Sequence, residues 1–240
     1  MGSNAVGELE DDLGGKGVSA ASGLVIHFSR CNEPARNAEW STWVRNEHLL
    51  SMAEVQGVRA ATHWALTQQP TPGMPSVGFS HVSLYELSGS VKAAAGRLAE
   101  HYLELQGAGR IDRNHCLMNV DVLEAHGQWA EKPEPTEALV GHILAYVMCN
   151  DPQRDAEWDR WNDEVHMPDM LSSGGFAGVS RWRRNPLGAW GTQYLTLYDV
   201  GPIGVDEAVA RSAAIMPNLK NAGRKLDCHV GGLTVMLERA

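Results

Sequence analysis

Between Trp158 and Met170 the chain gathers Trp161, Asp163, Glu164, His166 and Asp169, with Pro168 two residues after the histidine. An imidazole titrates near neutral pH and moves protons in either direction. Asp163, Glu164 or Asp169 could fix its tautomer, so His166 is a candidate general acid or base. The plainer alternative is a histidine that bonds a backbone carbonyl at a helix end. A related string upstream gives His48 the same choice of roles.

Trp158 and Trp161, like Trp40 and Trp43, stand three residues apart on one helix face. They suit either core packing or an apolar wall for a flat substrate. Further pocket candidates lie on strands. They are His27, His63, His81, Arg181 and Tyr194, provided that their face points into the barrel. The expected site therefore has His166, His48, Asp163, Arg181 and Tyr194 as catalytic groups. Trp158, Trp161, Trp40, Trp43, His27, His81 and His63 would bind substrate.

No H-x-H, H-E-x-x-H or C-x-x-C spacing occurs, and no P-loop or calcium loop, so no metal is expected. No G-x-G-x-x-G follows a strand, which disfavours nicotinamide and flavin cofactors. A haem needs an axial histidine that spacing cannot locate.

The elements that must carry these groups come in two sets. Cys31–Trp64 aligns with Cys149–Trp182 without a gap, and 12 of the 34 positions are identical. Ordinary composition would give about two. The identities include Trp40/Trp158, Trp43/Trp161, His48/His166 and Trp64/Trp182, so the chain reads as an internal duplication. Each half predicts a strand (22–30, 141–149), then an acidic amphipathic helix (37–55 in the first half). Pro168 is expected to bend or end the second copy of that helix. Two strands follow (57–66 and 79–87; 175–184 and 192–200), then a helix (90–106, 205–224) and a last strand (114–124, 231–239). That order is β-α-β-β-α-β twice, the ferredoxin-like unit. The exposed sheet faces of two such units would cover each other as a closed barrel, and fusion makes the pairing intramolecular. The fold class is thus α+β, two fused ferredoxin-like units forming a pseudo-dimeric barrel. The expected domains are a disordered leader at 1–20, an N-terminal domain at 21–126, a linker at 127–139 and a C-terminal domain at 140–240.

The net charge of −9 disfavours nucleic acid or an anionic membrane as partner, and no apolar run reaches the ~20 residues of a spanning helix. Cys31, Cys116, Cys149 and Cys228 form no close pair in sequence and read as reduced thiols of a cytoplasmic protein. A monomer with a pseudo-dimeric barrel or a homodimer is expected, with a small-molecule substrate as partner.

The element order, the duplication and the string "EWxxWxxEVHxPDM…GF" resemble the dimeric α+β barrel superfamily, and its EthD-like branch most. That superfamily includes polyketide cyclases, muconolactone-type isomerases, cofactor-independent monooxygenases and haem enzymes such as chlorite dismutase. The first copy departs from the pattern, with Leu49-Leu50 where the second has Met167-Pro168. The resemblance implies a pocket between helices and sheet or inside the barrel. The expectation drawn here is a cofactor-independent lyase, isomerase or cyclase on a hydrophobic, oxygenated molecule. A haem-dependent or cofactor-free oxygenase, or a non-catalytic binding protein, is the alternative.

Overall fold

A computed structural model describes residues 21–67, 77–129, 139–184 and 192–240. Eight strands close one antiparallel barrel in the order β1-β3-β2-β8-β5-β7-β6-β4. They are β1 (Gly23–Cys31), β2 (Val58–Leu66), β3 (His81–Leu87) and β4 (His115–Trp129) in the first half. In the second half they are β5 (Gly141–Cys149), β6 (Gly178–Arg184), β7 (Tyr194–Val200) and β8 (His229–Arg239). Each half is a ferredoxin-like sheet, and the halves join at two seams, β2–β8 and β4–β6. The expected leader lies outside the described residues, as does most of the expected linker. Residues 127–129, given above to the linker, are strand and pair with β6.

Strand alternation sorts the side chains into two layers. Leu24, Ile26 and Phe28 of β1 point into the barrel, where they meet Leu84, Trp64, Leu144, Tyr146, Trp182 and Leu237. The barrel interior is thus filled by large apolar side chains. Its polar members are paired. Asp121 accepts from Tyr146 Oη at 2.6 Å and from Arg184, and His142 lies 2.9 Å from Asp199. The other face of each sheet carries the helices. These are α1 (Asn37–Trp43), α2 (Leu49–Ala53) and α3 (Val91–Gly107), then α4 (Asp155–Trp161), α5 (Met167–Ser172) and α6 (Val205–Asn221). Helix α6 runs through Pro217. The space between helices and sheet, rather than the filled barrel, is the room left for a site.

The long first helix of each half is not uniform. Between α1 and α2, and again between α4 and α5, one wide π turn intervenes at Val44–His48 and Asn162–His166. Pro168 lies just after the wide turn, and the helix continues through it to Ser172. The helix does not end at Pro168, and the same wide turn forms in the first half without any proline. The turn is therefore a property of the shared fold. His48 and His166 are the last residues of this turn in the two halves. His48 is buried.

Candidate functional site

In each half a chamber filled by polar and aromatic side chains lies between the first helix pair and the outer face of the sheet. His27, His63 and His81 in the first half, and Arg181 and Tyr194 in the second, were candidates for the barrel interior. Their neighbours in sequence fill that interior, so alternation turns them outward into the helix layer instead.

In the C-terminal chamber Arg181 stands at the centre and is fully buried. Its guanidinium meets Asp163 at 2.5 Å and Asp159 at 2.7 Å. It also lies 5.2 Å from the ring centres of both Trp158 and Tyr194. His126, from β4 across the seam, bonds Asp159 at 2.8 Å, and Tyr194 Oη donates to Asp155 at 3.1 Å. Burial and the nearby Asp155 push the Tyr194 hydroxyl up to about 12. His166 lies flat against Trp161, ring centres 4.9 Å apart, and beside His229 at 5.4 Å. Burial first, then His229 and Arg181, lower His166 to about 4. Trp158 Nε1 donates to His229 Nδ1 at 3.1 Å, and Trp161 Nε1 donates to the Arg224 carbonyl. The expected set of His166, Asp163, Arg181, Tyr194, Trp158 and Trp161 is thus brought into one chamber.

The N-terminal chamber has the same plan with different chemistry. His63 and His81 stand where Arg181 and Tyr194 do, and their rings stack 5.2 Å apart. His115 takes the place of His229. It lies 5.8 Å from Trp40, 5.6 Å from Trp43 and 5.4 Å from His48. His48 lies over Trp43 at 5.2 Å, and His27 packs on the edges of Tyr85 and Tyr102. Burial is the main cause holding all five imidazoles neutral, His27, His48 and His63 at about 3 and His81 and His115 at about 4. Buried without a hydrogen-bond partner among the described residues are Trp40 Nε1, His48 Nδ1, His63 Nε2 and both ring nitrogens of His115. A cleft of about 270 Å³ reaches His48 and Trp43 past Glu47, Ser51, Leu105, Arg110 and Asp112. Despite this gathering of histidines, no group of three or more His, Cys, Asp or Glu among the described residues is arranged to hold a metal ion.

Sequence reasoning missed His115, His229, His126 and Asp159. The first two open the last strand of each half, where the ungapped repeat offset no longer holds.

No family model and no curated protein matches the chain. Solved structures do. A candidate monooxygenase from Fusobacterium nucleatum subsp. nucleatum overlays with a TM-score of 0.59 at 11% identity, covering 91% of this chain and 92% of its own. A candidate chlorite dismutase overlays with a TM-score of 0.57 at 8% identity, covering 92% of this chain and 95% of that one. A dye-decolorizing protein from V. cholerae gives 0.52 at 7% identity, with coverage of 92% and 95%. These structures are named for oxidative chemistry, and the expectation of a lyase, isomerase or cyclase is corrected accordingly. The expectation of no cofactor falls with it, since chlorite dismutase stands among the haem enzymes of the superfamily. A physical reason lies in the site. A histidine whose proton leaves at about 4 is far from the near-neutral value that acid–base catalysis favours. Among the described residues no helix is long and apolar enough to cross a membrane. Over both halves the chain has the ferredoxin-like dimeric α+β barrel fold of these enzymes.

Proposed function

We propose that the chain is a haem-dependent oxidoreductase of the oxygenase type, with its reaction centre in the C-terminal chamber. The observation that carries this reading is the pairing, across one helix–sheet layer, of a neutral histidine with a fully buried guanidinium. The donor chemistry fits a haem. Iron ligation needs an unprotonated imidazole, and His166 keeps that form at any ordinary pH. The Trp161 ring holds it in one orientation, and Trp158 and Tyr194 add flat apolar walls. When bound, haem would supply the one-electron and oxygen chemistry that side chains lack.

The protein's own contribution is orientation and charge. Arg181 is held by Asp159 and Asp163 before any ligand arrives, so it can stabilise negative charge developing on an oxygen without reorganising. Tyr194 keeps its proton and remains a donor beside it. The carboxylates orient Arg181 from the solvent side, with His126 bracing Asp159 from the other half. The repeated Trp, His and Gly positions support an origin by duplication, after which the C-terminal copy kept the charged centre.

Titration of the purified full chain with hemin, followed by visible absorption, tests the proposal. One haem per chain with an intense Soret band is expected. His166→Ala should weaken uptake at least tenfold or move the band, while His48→Ala should leave it in place. No uptake by the full chain, or a band that depends on His48 instead, refutes the assignment.

A further inference from the structure

The two chambers share a plan but differ in how they satisfy their own polar groups. In the second half Trp158 Nε1 bonds His229, Trp161 Nε1 bonds a carbonyl, and Arg181 is bound by two carboxylates. In the first half the matching Trp40 and His115 stack without bonding, and their nitrogens are left with no partner. Buried polar groups are almost always hydrogen-bonded, and exceptions in a native structure call for an explanation. Here five such atoms, on Trp40, His48, His63 and His115, lie in one group of touching rings next to a cleft.

We propose that the N-terminal half holds a second ligand site, in the cleft that ends on His48 and Trp43, for a small, flat, uncharged molecule carrying hydroxyl groups. The proposal does not rest on the haem reading. The cleft of about 270 Å³ falls just below the ~300–1,000 Å³ of drug-sized pockets, which suits a single ring. Trp43 and Leu105 provide an apolar wall for such a ring, as Trp faces do for flat ligands. A half-turn of the His48 ring exchanges Nδ1 with a carbon, so its open nitrogen can be presented to the cleft. His115 lies directly behind it. A neutral imidazole offers one donor and one acceptor, which is the complement of a hydroxyl. The imidazoles attract no anion, and the charged groups that line the cleft are of both signs, Glu47 and Asp112 against Arg110. Burial keeps the rings neutral, and that holds them ready for an uncharged partner.

Isothermal titration of the full chain tests this, with catechol as probe and 1,2-dimethoxybenzene and benzoate as controls. Dimethoxybenzene keeps the ring and oxygens but lacks O–H donors, and benzoate carries a charge. Catechol is expected to bind once per chain, at least tenfold more tightly than either control. Ser51→Phe puts a bulky ring into the cleft, at the cost of the Ser51–His101 hydrogen bond, leaves the His48–His115 pair in place and should abolish binding. His48→Leu should weaken it at least tenfold, and His166→Ala should leave it unchanged. The proposal is overturned if catechol does not bind or binds no better than dimethoxybenzene. It is also overturned if Ser51→Phe, with circular dichroism unchanged, still binds catechol, or if His166→Ala removes binding.

Discussion

Acidification should unfold this protein well above the range in which carboxylates titrate. Seven imidazoles (His27, His48, His63, His81, His115, His166 and His229) are held neutral in the fold, with values lowered from 6.5 to about 3 or 4. In the unfolded chain each recovers its ordinary value. Between the two values the unfolded state binds more protons than the native state, so stability falls as pH falls. The loss begins near the unfolded value of 6.5 and continues down to the folded value. By this linkage, going from pH 7 to pH 5.5 removes about 1.2 kcal/mol per histidine. His27, His48 and His63 alone then remove about 4 kcal/mol, and all seven about 9 kcal/mol. Small domains have only ~5–15 kcal/mol in total. The expected acid midpoint lies at about pH 5.5, with a slope near that pH of at least ~4 kcal/mol per pH unit, equivalent to three protons. Urea unfolding followed by tryptophan fluorescence at pH 7, 6.5, 6 and 5.5 measures it directly. A slope of one proton or less, or a native fold that survives at pH 4, would refute the argument that burial holds these rings neutral.

Other substitutions separate the two chambers and probe the packing. Trp158→Phe removes a hydrogen bond to His229, whereas Trp40→Phe removes an N–H that has no partner. The first should cost about 1 kcal/mol more than the second in chemical denaturation, and equal costs would contradict the contrast drawn between the halves. Asp159→Asn should lower stability by roughly 3 kcal/mol because it leaves the buried Arg181 under-compensated. Asp163→Asn, at a more exposed carboxylate, should lower it by under about 1 kcal/mol, and the reverse order would show that Arg181 depends on the other partner. Gly141→Ala places a Cβ 2.5 Å from the Leu237 carbonyl oxygen and Val205 Cγ2, so it should cost about 2 kcal/mol in thermal unfolding. Gly96→Ala, in the exposed middle of α3 with nothing within 4 Å, should instead gain about 0.5–1 kcal/mol.

Much of the architecture was legible because periodicity and repetition report it directly. The alternation of Leu24, Ile26 and Phe28 against His27 placed that histidine opposite the core, and the repeat required the second half to match. What periodicity could not supply was the identity of each layer. A strand with two buried faces shows which residues share a side, but not which side is the barrel. His27, His63 and His81 were therefore assigned to a face without its neighbours being known. The π turn was invisible because one extra residue per turn leaves no mark on composition, and Pro168 suggested a local cause that the first half shows to be unnecessary. The cluster of His48 and His115 was also out of reach, since their meeting depends on a helix turn and a distant strand end. The values near 3 and 4 follow from that burial, and they change His166 from an expected base into an expected ligand.

The two seams of the barrel carry a consequence for assembly. Strand β2 meets β8 over the short run Trp64↔Arg239 to Leu66↔Leu237, while β4 meets β6 from Leu123↔Arg184 to Trp129↔Val179. Both join one half to the other, and neither lies within a half. A half cannot tell from these backbone contacts whether its mate belongs to the same chain. Two chains could therefore exchange halves and form a dimer with every seam intact, as domain-swapped proteins do. The covalent connection between halves alone favours self-closure, by setting a local concentration that a second chain must exceed. Refolding at high protein concentration is then a competition between closing on oneself and closing on a neighbour, and the yield of monomer measures how effective that connection is.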